Sequence, residues 1–322
     1  MTIYAAGGES EIFGVATAWR GTPYHDSNYS RIAARPHNFG SGTLSLGHSF
    51  GGDSEAGAWV HFRCTTSSYR SYDAHERLLR LFSPTRTIAH IDLHDSIINN
   101  IEVWSSTGVH ASEDPEASNV GTYFYDLHYY RNSSGGTTLD VYRDSVLLVT
   151  LSASGTNDYL SSLSFYQASS EEDDGQNAFS EVIVGDEDTR GMRVKTIVAT
   201  GDDPTHDWTG TYAEIDEYDD SGDGISAASD GQTALFTHTN DIALNNIHSF
   251  VIAGRIAAAA PDGAQALVRI GGVNYETPFT TDLTAGERPC FAVFPSNPAT
   301  GLPWTASDLN SMSFGIKSGP PA

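Results

Sequence analysis

Three consecutive antiparallel strands can be recognised between residues 122 and 151, and they constrain the fold more than any other part of the chain. The first run, TYFYDLHYY, alternates its side chains with the period of a strand and is rich in aromatic residues. Residues 132–136 suit a hairpin loop, and residues 144–145 suit a second, tighter turn. A meander with one apolar face has to cover that face with a second sheet. This stretch therefore predicts an all-β sandwich.

The order of the segments in this meander also resembles a known family. An aromatic strand, a glycine-rich loop, the run LDVYRDS and an apolar strand are similar to the concanavalin A-like (laminin-G-like) jelly roll, where an L-x-V-Y-x-D-G hairpin is typical. Ser145 stands where that family usually has glycine. The resemblance implies a fold and leaves the activity open, because lectins, hydrolases and structural modules share this sandwich.

Strand-like runs recur every 8 to 12 residues or so, which is the spacing of a sandwich. One of them, AWVHFRC, alternates Trp59, His61 and Arg63 with apolar residues. The polar run 185–191 is bracketed by glycines and marks a domain border. We therefore expect a concanavalin A-like jelly roll over residues 1–187 and a smaller β-sandwich over residues 188–322. A capping box at residues 305–308 predicts one short helix, and we expect no helix longer than about three turns.

The charge balance of the chain limits its partners. Lys and Arg number 17 against 41 Asp and Glu, which gives a net charge of −24. A field of this sign repels nucleic acid and anionic membranes, so we expect neither as a partner. The N-terminus has no basic segment followed by an apolar one, and no window approaches the roughly 18 apolar residues of a membrane helix, so we expect no signal peptide and no membrane span. Cys64 and Cys290 are expected to be buried in different domains without a disulfide.

A second resemblance concerns most of the chain. The opening run MTIYAAGGESEIF is similar to the start of phage virion proteins, in which a short strand and G-G-E precede a jelly roll. Four later runs resemble tail-associated and fibre-like virion proteins of tailed bacteriophages: VIVGDEDTRGMRV, DWTGTYAEIDE, GGVNYETP and NPATGLPWTASDLNSMSFGIKSG. This resemblance implies a structural virion protein, made in the host cytoplasm and exposed on the tail tip, the baseplate, a fibre or the head. Other virion proteins would be its partners.

The edges of the sheets suggest self-association. Isolated sandwiches protect their edge strands with lysine, and Lys195 and Lys317 are the only lysines of this chain. We therefore expect a homo-oligomer, with residues 249–256 and 2–5 as the candidate contacts.

Four tyrosines are candidates for binding a host-surface glycan. Tyr69, Tyr72, Tyr159 and Tyr166 lie in or beside loops rich in Ser, Asp and Asn. Aromatic rings of this kind stack on sugar rings while polar neighbours bond the hydroxyls. The alternative is that these tyrosines are partly buried residues of the sandwich rim.

One acidic loop has the spacing of a calcium ligand set. Asp219, Ser221, Asp223 and Asp230 place oxygens at the first, third, fifth and twelfth positions of a stretch with glycine at the sixth. Calcium is the candidate ion, and no other cofactor is expected. The alternative is an acidic loop between strands.

One strand candidate bears on metal binding and on catalysis. His90, Asp92 and His94 alternate, so they share one face and could hold a transition metal, or they simply form a polar outer face. Sandwich glycosidases of the concanavalin-like class place their two carboxylates at alternate positions of a strand, whereas Asp92 and Asp95 fall on opposite faces. We therefore assign no catalytic residue and expect no enzyme. A carbohydrate-active enzyme with a concanavalin-like fold and a stand-alone bacterial lectin remain the alternatives.

Overall fold

The computed structural model describes residues 3–7, 24–26, 31–33, 42–50, 57–66, 75–94, 97–105, 107–108, 110–118, 121–155, 158–165, 177–215, 224–256, 263–279 and 288–319. The chain divides into two units, Met1–Val194 and Lys195–Ala322.

Fifteen strands are described in the first unit. They are β1 (Ile3–Gly7), β2 (Tyr24–Asp26), β3 (Arg31–Ala33), β4 (Gly42–Phe50), β5 (Ala58–Thr66), β6 (His75–Phe82), β7 (Thr87–His94), β8 (Ile97–Trp104), β9 (His110–Glu113), β10 (Ala117–Ser118), β11 (Gly121–Arg131), β12 (Thr137–Arg143), β13 (Val146–Ala153), β14 (Leu160–Phe165) and β15 (Asn177–Gly185). One sheet has the order β1-β15-β5-β11-β12-β13. The other has the order β10-β8-β7-β6-β14-β4, with β9 also paired to β8, and β2 pairs with β3.

The two large sheets of the first unit pack face to face. The alternation along β5 and β11 turns Phe62, Tyr125 and Leu127 inward, and all three are buried. Phe62 meets Phe165 of the opposite sheet edge to face, with ring centroids 5.1 Å apart. Because successive side chains of a strand point to opposite faces, the residues between these belong to the outward face of the first sheet.

The second unit contains seven strands, one short α-helix and one 3-10 helix (Tyr212–Glu214) among its described residues. They are β16 (Gly201–His206), β17 (Thr233–Thr237), β18 (Phe250–Ile256), β19 (Ala264–Ile270), β20 (Val273–Pro278), β21 (Arg288–Phe294), α1 (Ala306–Ser311) and β22 (Ser313–Ser318). A sheet of order β16-β17-β22-β19-β20 and the pair β18-β21 enclose a core. In this core Trp304 donates its Nε1 hydrogen to the carbonyl of Phe294 at 2.8 Å and packs on Phe250, with ring centroids 5.8 Å apart.

The prediction of an all-β protein built from two sandwiches is confirmed. The meander at residues 122–151 is β11, β12 and β13, paired in that order. Asp144 and Ser145 have φ angles of 50° and 66°, so this turn uses the left-handed region that hairpin turns require. The predicted helix is present as α1, where Thr305 and Asp308 form the capping box.

The structure assigns residues 188–194, which the sequence places in the second domain, to the first unit. Cys64 and Cys290 are both buried and form no disulfide. Among the described residues, no helix is long and apolar enough to cross a membrane.

Candidate functional site

The outward surface of the first unit's six-stranded sheet carries rings and polar groups on neighbouring strands. Cross-strand pairing sets Trp59 beside His128 and His61 beside Asp126. It also sets His128 beside Asp140 and Asp126 beside Tyr142. We call this surface the polar face; its residues are Trp59, His61, Phe124, Asp126, His128, Tyr130, Thr138, Asp140, Tyr142, Thr150 and Ser152.

Three rings of the polar face form a continuous stack. The indole of Trp59 and the imidazole of His128 are nearly parallel, with centroids 4.2 Å apart and planes inclined by 10°. The imidazole in turn stacks on Tyr130 at 4.1 Å and 16°. Tyr142 extends the set, with its ring 5.9 Å from that of Trp59. Side chains at alternate positions of adjacent strands are close enough for such contacts, so the strand pairing itself builds the stack.

Hydrogen-bonding groups adjoin one end of the stack. We call this part of the polar face the open half; its residues are His128, Tyr130, Asp140, Thr150 and Ser152. Thr150 donates its hydroxyl to Oδ1 of Asp140 at 2.6 Å, and Nδ1 of His128 lies 3.9 Å from Oδ2 of the same carboxylate. Thr150 and Ser152 are exposed, and the rings of His128 and Tyr130 are partly exposed. Burial raises the pKa of the Tyr130 phenol, and the Asp140 carboxylate raises it further, so this phenol is a neutral donor at ordinary pH.

The other end, which we call the covered half, consists of His61, Phe124, Asp126 and Tyr142. Nδ1 of His61 lies 2.8 Å from Oδ1 of Asp126, and both side chains are buried. The His61 ring stacks on Phe124, with centroids 5.9 Å apart. Among the described residues, no atom forms a hydrogen bond with Nε2 of His61. The covered half therefore contains a histidine oriented by a carboxylate, with its second nitrogen unused.

A short segment lies across the covered half, and we call residues 188–194 the strap. Thr189 is fully buried and donates its hydroxyl to Oδ1 of Asp126 at 2.7 Å. The guanidinium of Arg190 lies 4.4 Å from the ring centroid of Tyr142 and 5.5 Å from that of Trp59. Arg193 lies 3.8 Å from the ring centroid of Phe124.

Two carboxylates form hydrogen bonds with residues of the strap, one of them within the strap and the other outside it. Asp188 accepts hydrogen bonds from Arg190, at 2.9 Å from Nε to Oδ1 and 2.5 Å from Nη2 to Oδ2. These bonds hold the pKa of the Asp188 carboxyl below its usual range. At the other end, Val194 donates its backbone N–H to Oε2 of Glu181 at 3.4 Å. Glu181 sits at a register shift of β15 with a φ of 54°, and its side chain is buried.

One of the four predicted glycan tyrosines belongs to the part of the chain that the structure describes. Tyr69, Tyr72 and Tyr166 lie outside the described residues. Tyr159 is described and 42% exposed, but it precedes β14 and follows Asp158, which pairs with Arg86 of the β6–β7 turn at 2.7 Å. It is not part of the polar face, so its glycan role stays a prediction.

The candidate metal sites are only partly described. Asp219, Ser221 and Asp223 of the calcium loop lie outside the described residues, and Asp230 is exposed in the turn before β17. His90 and Asp92 do share a face, with Nε2 3.3 Å from Oδ2, whereas the His94 side chain is not described. Within the described ranges, no group of three or more His, Cys, Asp or Glu side chains has a geometry suited to a metal ion.

The sequence contained a signal for the polar face. His and aromatic residues alternate in AWVHFRC and again in the run from Phe124 to Tyr130. What the sequence lacked was the pairing of β5 with β11, which sets two strands about sixty residues apart side by side.

Comparison with known proteins gives likenesses of architecture. No protein-family model and no curated protein matches the chain. The solved alginate lyase Aly36B has a TM-score of 0.35 and 10% identity, over 60% of this chain and 95% of that chain. An alginate lyase from Corynebacterium sp. has a TM-score of 0.28 and 15% identity, over 52% of this chain and 74% of that chain. The binding domain of botulinum neurotoxin DC has a TM-score of 0.34 and 10% identity, over 84% of this chain and 68% of that chain. Likenesses this distant carry no argument about activity.

The prediction that the protein is not an enzyme is corrected: it was reasoned from glycoside hydrolysis alone, and the solved structures that share this architecture include alginate lyases. The exclusion considered only the paired carboxylates of glycoside hydrolysis. Other bond-breaking chemistry on saccharides can use histidine and tyrosine as acid and base, and the polar face carries both.

Proposed function

We propose that this chain is a carbohydrate-active protein and that the open half of its polar face holds a saccharide. The observation that carries the proposal is the stack of Trp59, His128 and Tyr130, whose rings lie 4.1 to 4.2 Å apart beside the Asp140 carboxylate. A sugar ring offers an apolar face for stacking and a rim of hydroxyls for hydrogen bonds, so it suits a surface of this composition.

The polar groups beside the stack can bond sugar hydroxyls that donate a hydrogen bond and sugar hydroxyls that accept one. Asp140 accepts, the Tyr130 phenol donates, and the hydroxyls of Thr150 and Ser152 do both. Thr150 already bonds Asp140 at 2.6 Å, which holds the carboxylate in place before a ligand arrives. Preorganised acceptors of this kind reduce the entropy lost on binding.

The experiment is calorimetric titration with alginate, polygalacturonate, xylan and dextran oligosaccharides. We expect at least one to bind, and we expect Tyr130→Ala and His128→Ala to weaken that binding about tenfold each, because the first removes a ring that stacks on the sugar and the second removes the ring that supports it. His110→Ala is the matched control, because it removes an exposed histidine of β9, which belongs to the other sheet. Equal affinities for all four proteins, or no binding to any saccharide, would refute the proposal.

The same mixtures test for catalysis. After prolonged incubation, each polysaccharide is assayed for new reducing ends and for unsaturated products, which separate hydrolysis from elimination. Turnover that is lost in His128→Ala but kept in His110→Ala would place the chemistry on the polar face.

A second proposal concerns where the protein works. We infer that it is a component of a tailed-phage particle, because the runs VIVGDEDTRGMRV and NPATGLPWTASDLNSMSFGIKSG resemble virion proteins of that class. A saccharide site would then contact the host surface, and other virion proteins and further copies of this chain would be its partners. Mass spectrometry of purified particles tests this directly. Peptides of the chain at a fixed copy number per particle are expected, and their absence would contradict the proposal.

A further inference from the structure

We infer that the strap, residues 188–194, is a removable cover and that its release lengthens the saccharide site into the covered half of the polar face. This inference rests on the proposed function. The two halves belong to one continuous surface, since Trp59 contacts His128 on the open side and Tyr142 on the covered side.

The covered half has the features of a binding surface. Tyr142 presents a ring that is covered by the guanidinium of Arg190 at 4.4 Å, and Phe124 presents one that is covered by Arg193 at 3.8 Å. Each arginine occupies the place over a ring where a sugar would stack. The strap thus covers the rings with two cations whose contacts a ligand could replace.

The His61–Asp126 pair gives independent support. His61 is fully buried, its Nδ1 bonds Asp126 at 2.8 Å, and its Nε2 has no hydrogen-bond partner in the described part of the chain. A buried polar nitrogen without a partner is costly and rare in folded proteins. Removal of the strap would expose the side chains beside Asp126 to solvent. Nε2 of His61 could then form a hydrogen bond with a sugar hydroxyl or with water.

The attachment of the strap is weak enough for release. Residues 188–194 add no strand to the sheet, and Thr189 is the one strap residue that is buried. The hydroxyl of Thr189 on Asp126 is the central contact, and the bond from Val194 to Glu181 is long at 3.4 Å. Because the chain continues into the second unit directly after Val194, a force on that unit would act on the strap.

The first test needs no saccharide. Diethyl pyrocarbonate modifies accessible imidazole nitrogens, and peptide mass spectrometry measures its rate at His61. We expect slow modification in the natural protein and about tenfold faster modification in Thr189→Val, which removes the hydroxyl bonded to a charged group. Thr189→Ser keeps the hydroxyl and should behave like the natural protein.

Thr150→Val is the matched control, because it also removes a threonine hydroxyl bonded to an aspartate of the polar face, but away from the strap. Its His61 should stay protected, and the melting temperature of each variant shows that the first unit remains folded. A triple variant, Thr189→Val with Arg190→Ala and Arg193→Ala, removes all three contacts. Protection of His61 in both the single and the triple variant would overturn the inference, since the strap would then be a fixed wall.

The second test uses short and long chains of the panel oligosaccharide that binds. Thr189→Val should increase affinity for long chains several-fold more than for short ones, because only long chains reach the covered half. If His61 becomes reactive but long chains gain nothing, the strap opens without extending the site and the inference fails. If no saccharide binds any variant, the proposed function fails, while the His61 rates still report whether the strap opens.

Discussion

Asp203, in the second unit, is the carboxylate whose surroundings make the clearest prediction at the scale of single residues. Its Oδ2 accepts the Ser313 hydroxyl at 2.7 Å, its Oδ1 accepts the backbone N–H of Thr205 at 2.9 Å, and Arg269 lies 3.8 Å away. Burial acts to raise the pKa of Asp203, but these hydrogen bonds and the Arg269 charge outweigh it and leave the pKa below the ordinary value.

A lowered folded-state pKa means that the ionised carboxyl stabilises the folded unit above the ordinary pKa of aspartate, about 4, and that this stabilisation is lost as the pH falls through the folded-state pKa. We predict that Asp203→Asn lowers the free energy of unfolding of the second unit by about 1.5–3 kcal/mol at neutral pH. The difference from the natural protein should shrink towards acid. Urea unfolding at several pH values measures it, with Asp241→Asn, a change at an exposed aspartate, as the control. A difference independent of pH would contradict the prediction.

Residue-level interpretation of the sequence succeeded where the chemistry is local. The Thr305–Asp308 capping box and the turn at Asp144 depend on neighbours a few residues away, so residue type alone predicts them. Thr189 is the opposite case. It lies in a polar, glycine-bracketed run that indicates a linker, yet it is buried against Asp126, 63 residues earlier in the chain. No local pattern contains that contact.

The β11–β12 hairpin gives a prediction at the scale of elements, since one side chain organises its loop. Oδ1 of Asn132 accepts the backbone N–H groups of Ser134 and Gly136, at 3.0 and 2.9 Å, and Nδ2 donates to Thr138 at 3.0 Å. Gly135 completes the loop with a φ of 82°, which favours glycine.

We predict that Asn132→Ala destabilises the first unit by about 1–2 kcal/mol, because it leaves loop donors without their acceptor. Asn132→Asp keeps an oxygen that can accept both backbone N–H groups, so it should destabilise the first unit less than alanine does. Urea unfolding followed by circular dichroism compares the three proteins. Equal losses for alanine and aspartate would show that the carbonyl oxygen is not what holds the loop.

Element order and element type were largely predictable, and the polar face was not. The strands β11, β12 and β13 follow from alternation and turn chemistry, and the hairpin fixes their pairing. The pairing of β5 with β11 joins distant segments, so the stack of Trp59 on His128 could not be inferred. Tyrosines in or beside loop-like sequence therefore led to the glycan prediction, while the rings that stack on one another belong to strands.

At the scale of the whole molecule, each unit encloses its own hydrophobic core and contains one cysteine. Cys64 lies in β5 of the first unit and Cys290 in β21 of the second, and both are buried. Burial raises the pKa of the Cys290 thiol to about 12. Since the thiolate is the reactive form, labelling has to wait for the unit that contains the cysteine to unfold.

Units with separate cores are expected to unfold separately, so labelling with iodoacetamide in increasing urea should give two midpoints, one for each cysteine peptide. Two variants show which midpoint belongs to which unit. Thr305→Ala removes the cap of α1 and should lower only the Cys290 midpoint, by the equivalent of about 1 kcal/mol. Asn132→Ala should lower only the Cys64 midpoint. If either variant moves both midpoints together, the two units unfold as one cooperative body, because destabilising one core would then expose the thiol of the other.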